Sequence, residues 1–147
     1  MPTITVEWLR ANRACQSEIQ VFIDTFGHCA DVTAENLARA DAVRLNLWWL
    51  ANRVLTKTAL AKFAHFREGQ WCRYQQAAIP ATRAYQNAVS AVDLMLTNKS
   101  AIEVAYKEWE RVAGRAFIRY HQMTTDALID LLMNTANWNA KHSGEFS

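Results

Sequence analysis

The chain has 147 residues, 51% of them apolar and 20% charged, and its 16 basic and 14 acidic side chains leave a net charge of +2. That is one domain's worth of sequence, able to bury roughly 70% of its unfolded surface, so a core needs no metal or disulfide framework. With only 4 Gly and 2 Pro against 6 Trp, 6 Phe and 4 Tyr, disorder and low-complexity order are excluded.

No run of about 18 apolar residues occurs, and the opening Met-Pro-Thr-Ile-Thr-Val-Glu-Trp has no basic segment leading into an apolar one. The reading is a cytoplasmic protein that does not enter a membrane. Three cysteines, Cys15, Cys29 and Cys72, are an odd number at unrelated spacings and fit reduced thiols. Near balance of charge argues against nucleic-acid binding driven by total charge, so any electrostatic function must be local.

The first third reads as short helices. Thr5 is placed to cap a turn carrying Trp8 and Leu9, and Ile19, Phe22, Ile23 and Phe26 follow at i, i+3, i+4 and i+7, closed by Gly27. Thr33 caps a third helix with Glu35 in its first turn and Leu37, Ala40 and Val43 inward. Asn46 caps a fourth, the Leu47-Trp48-Trp49-Leu50 run through Leu55. Adjacent tryptophans point about 100° apart, so one fills the core while the other faces a second element or a partner.

From Thr58 to about Thr97, and again from Ala101 to Trp138, the pattern stays helical. The turn between is Asn98-Lys99-Ser100, with Ser100 and Glu103 spaced as a capping box. Two helices of about 60 Å each, joined by a short turn, make an antiparallel hairpin. Intervals of eleven recur in it: Phe63, Tyr74, Tyr85 and Leu96; Trp109, Tyr120 and Leu131; Tyr106, Phe117 and Leu128. A repeat of 3.67 residues per turn gives nearly straight or slightly right-handed helices, and alanines at 78, 84, 88, 105, 113 and 116 allow close approach. The rows suggest a duplicated helical unit, although any long buried helix produces similar rows. Pro80 either kinks the first long helix near Ala77 or splits it into 58 to 78 and 80 to 97. The expected fold is all-α: a single helical domain over 1–147, with a short-helix subdomain at 1–55 packed on a long helical hairpin at 58–138.

Catalytic signatures are missing: there is no Gly-rich phosphate loop, Gly-x-Ser-x-Gly, His-Glu-x-x-His or Cys-x-x-Cys. The expectation is a protein that is not an enzyme and needs no cofactor. His65 and Cys72 lie seven apart, and His28 adjoins Cys29, but the spacing matches no zinc finger or ribbon, so no metal is expected. Glu35 to Arg53 loosely fits a helix-turn-helix, yet the would-be reading helix is mostly apolar, whereas groove readers present polar side chains to bases.

The strongest surface feature is Lys107, Arg111, Arg115 and Arg119 at successive i+4 positions. Glu103 is oriented to satisfy Lys107, which leaves Arg111, Arg115 and Arg119 as a basic strip about 12 Å long, with Arg83 roughly opposite Arg115. An ordinary solvated face, partly neutralised by Glu108 and Glu110, is the bland alternative. The functional reading is a docking strip for an acidic protein surface or a nucleic-acid backbone. The candidate partner-binding residues are therefore Arg111, Arg115, Arg119 and Arg83, with Trp48 or Trp49 as exposed anchors.

In the N-terminal third, Trp8-Leu9-Arg10, Ala14-Cys15, Phe22, Phe26-Gly27, Val32-Thr33, Asn36 and Trp49-Leu50-Ala51 through Leu55 resemble a module of small helical proteins of bacteriophages and prophages. A glycine that precedes the Trp-Leu-Ala helix in that pattern is replaced here by Arg44-Leu45-Asn46. The resemblance implies a non-catalytic phage or prophage protein that binds a host machine stoichiometrically, in the manner of anti-CRISPR inhibitors of bacterial defence complexes. The implied partner is a host protein or ribonucleoprotein complex. Two alternatives stand beside it: a nucleic-acid binder using the arginine strip, and a self-associating helical protein, for instance a homodimer.

Overall fold

The computed structural model describes residues 2–93 and 99–143. In chain order these form β1 (Thr3–Thr5), α1 (Val6–Ala11), α2 (Gln16–Phe26), β2 (Cys29–Asp31), α3 (Ala34–Ala42), α4 (Leu47–Val54), α5 (Lys57–Asp93), α6 (Lys99–Met133), a 3-10 turn (Thr135–Asn137) and α7 (Ala140–Ser143). The class is all-α, and no helix among the described residues is long and apolar enough to cross a membrane. Two compact units divide within the long helices: one takes the chain up to Ala64 and from Thr125 onward, the other His65–Thr124.

In the first unit the short helices begin where side chains can hold their free N–H groups. Thr5 Oγ1 accepts from the Trp8 N–H at 3.1 Å, Thr33 Oγ1 from Asn36 at 3.1 Å, and Asn46 Oδ1 from Trp49 at 2.9 Å. Each such cap contributes about 1 kcal/mol. Gly27 ends α2 with φ of +80°, a left-handed geometry that glycine adopts freely. The ends of α1 and α3 use the same region without glycine: Arg13 and Arg44 both have φ of 62°. There the Ala14 N–H reaches back to the Leu9 carbonyl and the Leu45 N–H to that of Ala40, each at 3.0 Å or less. These are Schellman-type closures that satisfy otherwise orphaned carbonyls.

Two short strands were not expected. β1 and β2 pair antiparallel, Ile4 opposite Ala30, and three residues each are too few for an alternating pattern to register. Val43, expected inward, is 41% exposed because α3 ends before it. The core gathers Val6, Trp8, Ile19, Phe22, Leu37 and Val54 with Phe63 of α5 and Leu128 and Leu132 of α6. α6 stops at Met133 rather than running to Trp138: Asn134 Oδ1 accepts from the Ala136 N–H at 3.1 Å and starts the 3-10 turn. Trp138 then returns to the core, donating from Nε1 to the Leu132 carbonyl at 2.9 Å. Its backbone bridges Leu55, flanked by Thr56 N–H to Asn137 O and Asn139 N–H to Val54 O, both 2.7 Å.

The second unit is the antiparallel pairing of α5 with α6. Pro80 lies inside a continuous α5, so the split at 78–80 does not occur. α6 already includes Lys99, which places Ser100 in its first turn and not at the cap; Asn98 and Leu96 lie outside the described residues. The eleven-residue rows set the register. Tyr74 meets Phe117 and Tyr120 with ring centroids 6.0 and 6.2 Å apart, and Tyr85 meets Tyr106 and Trp109 at 5.9 and 6.2 Å. Eleven residues forward along α5 is therefore eleven back along α6. Between the two levels lie buried Ala78 and Ala113, the expected close-approach alanines.

Candidate binding surfaces

Helical geometry gives the hairpin two unlike flanks. On α6, Glu103, Tyr106, Glu110 and Phe117 fall on one stripe at i, i+3, i+7 and i+14, while Val112, Arg115, Ala116 and Arg119 fall on another roughly 150° away. The buried positions, such as Ala113, lie between.

The first flank is aromatic. Tyr106 is 46% exposed, Phe117 53%, and Trp71 of α5, in edge contact with Tyr120, 42%. Glu68, Glu103 and Glu110 are exposed beside these rings and enter no ion pair among the described residues. The second flank is a groove of about 510 Å³. Gln70, Arg73, Tyr74 and Ala77 line it from α5, and Val112, Arg115, Ala116, Arg119 and Tyr120 from α6. Its charged lining is wholly cationic.

The candidate residues fall in different places. Arg115 and Arg119 line the groove; Arg111 and Arg83 are exposed on the same helices but do not line it. Arg111 is engaged by Glu108, its Nε at 2.9 Å and its Nη2 at 2.5 Å from the two carboxylate oxygens. That hydrogen bond, aided by the charges of Arg111 and Arg115, holds the Glu108 carboxyl below its ordinary pKa, and the same hydrogen bond raises that of Arg111. Glu103 and Lys107 form no ion pair. The third groove cation is Arg73, which counting along α6 could not find because α5 supplies it.

Trp48 and Trp49 belong to the first unit and are both half-buried. Trp48 packs on Phe63 at 5.2 Å, and Trp49 meets the edge of Trp8 at 6.1 Å with the Arg53 guanidinium 5.4 Å above its ring. Leu47, Leu50, Ala51 and Val54 take the core positions of α4. Among the described residues, no group of three or more His, Cys, Asp or Glu is placed to hold a metal ion, and all three cysteines are free and exposed. No protein-family model matches this chain, and neither a curated protein nor a solved structure does.

Proposed function

We propose that this is a non-catalytic binding protein that associates stoichiometrically with a host protein or ribonucleoprotein complex and blocks it. The observation that carries the reading is the aromatic flank of the hairpin, where Trp71, Tyr106 and Phe117 keep about half their surface in solvent although their neighbours pack between the helices. Large aromatic side chains held on a rigid frame are the usual anchors of protein interfaces. The exposed Glu68, Glu103 and Glu110 beside them suit a partner whose apolar pocket has a basic rim. The likeness of the N-terminal third to phage and prophage proteins supports a host defence complex, of the kind anti-CRISPR proteins inhibit, as the target.

A second reading has its own support. The acidic aromatic flank is complementary in charge to the cationic groove, which favours contact between copies of the chain.

The test is capture from nuclease-treated bacterial lysate by wild type and by Phe117→Ser and Tyr106→Ser, with sedimentation of each protein alone. A partner held in fixed stoichiometry by wild type and lost from both variants is the expected result. Absence of any nuclease-resistant partner overturns the reading, and concentration-dependent self-association lost in the same variants transfers the flank to a second copy.

A further inference from the structure

We propose that the groove on the opposite flank binds single-stranded nucleic acid, with phosphates on Arg73, Arg115 and Arg119 and a base against Gln70, Tyr74 and Tyr120. The three guanidinium groups come from two helices, are exposed, and are not ion-paired. Guanidinium pairs with phosphate through two parallel hydrogen bonds, which suits a site lined by arginine and not lysine.

Gln70 is the second, independent observation. It is only 8% exposed and it lines the groove, so its carboxamide is held in the groove wall between the two helices. No buried side-chain nitrogen or oxygen among the described residues lacks a partner, so water in the groove bonds this carboxamide in the free protein, and a ligand that replaces that water must offer both a donor and an acceptor. A carboxamide both donates and accepts, as the edge of a base does. A simple anion would answer the arginines but offers no donor to match the amide oxygen. The volume, about 510 Å³, lies in the range of sites for organic ligands and far above what one ion fills.

The two tyrosines complete the fit. Tyr74 and Tyr120 line the groove, their rings 6.2 Å apart, and base stacking on aromatic rings is the sequence-tolerant part of single-strand recognition. A duplex keeps its bases stacked inside and would leave both the rings and Gln70 unused. This inference goes beyond the protein-binding reading and stands on the other flank, so either can fail alone.

The experiment is fluorescence anisotropy of the whole protein with labelled oligothymidylate and oligouridylate over a series of salt concentrations, competed by unlabelled nucleoside monophosphate, duplex DNA and polyaspartate. Three phosphates contacted in a single strand predict a slope of log K against log salt of about −2, from about −0.7 per phosphate. Arg115→Ala should make the slope shallower by about 0.7, while Arg83→Ala, outside the groove, leaves it unchanged. Gln70→Leu should weaken binding roughly two- to tenfold, the worth of one hydrogen bond, without altering the slope. Circular dichroism verifies that each variant stays helical, and Tyr106→Ser, whose ring meets Tyr85 and Trp109 and neither groove tyrosine, should bind the strand as wild type does. Competition by the monophosphate assigns the groove to a free nucleotide, and its failure to compete assigns it to a strand; both keep the phosphate-and-base chemistry. No measurable binding, displacement by duplex or polyaspartate as readily as by single strand, or indifference to Arg115→Ala overturns the proposal.

Discussion

The Trp109 indole donates from Nε1 to Thr82 Oγ1 at 3.0 Å, joining α6 to α5 across 27 positions of sequence. It lies between the level of Ala78 and Ala113 and that of Tyr85 and Tyr106, so it fixes rotation where small side chains alone would let the helices slide. Thr82→Val keeps the shape but removes the acceptor from a half-buried donor, and should cost about 1 kcal/mol in urea unfolding. Thr82→Ser, which retains the hydroxyl, should cost clearly less.

Pro80 withholds one backbone N–H from a helix that continues on both sides of it. Pro80→Ala restores that bond and should raise stability by about 2 to 3 kcal/mol, seen as a higher melting temperature with the helical signal unchanged or larger.

Arg13 and Arg44 hold left-handed backbone that costs a side-chain-bearing residue about 1 kcal/mol or more. Arg44→Gly and Arg13→Gly should each stabilise by about 1 kcal/mol. The two closures belong to different helix ends, so the double variant should show nearly the sum of the single effects. Equal or lower stability in both single variants would contradict the assigned backbone.

Glu108 should titrate below an ordinary glutamate when followed by carboxyl NMR, and move back toward the ordinary value in Arg111→Gln. Because its folded pKa is depressed, the stability it contributes is present above the unfolded value and is lost as pH falls through the folded one. Both side chains are solvated, so the effect on the unfolding midpoint should be small.

Local chemistry made much of this fold legible. Thr5, Thr33 and Asn46 are readable as caps because a cap needs only the next three residues, and the rows of Tyr74, Tyr85, Tyr106 and Phe117 are readable because periodicity is a property of one chain segment. What escaped depends on residues far apart or on unusual backbone. The strand pair joins Thr3 to Asp31 without an alternating pattern in either strand. Arg13 and Arg44 carry no glycine to announce positive φ. Apolar Trp138 extends the helical pattern of α6, and the competing signal is Asn134, whose side chain caps the turn that follows. The i+4 spacing along α6 carries Arg115 and Arg119 into the groove and Arg111 beside Glu108, whereas Arg73 and Gln70 come from α5 and lie outside any pattern within α6.

The register of the hairpin also makes its length adjustable in whole repeats. Because Tyr74 and Tyr85 stand to Phe117 and Tyr106 in the same relation, deleting eleven residues from each arm between those levels would superpose one aromatic tier on the next. Eleven residues is close to three full turns, so the two flanks would keep their bearings while the arm lost about 16 Å of reach. The paired helices can thus be shortened or lengthened in steps of eleven residues by symmetric loss or insertion, each step carrying its own aromatic tier.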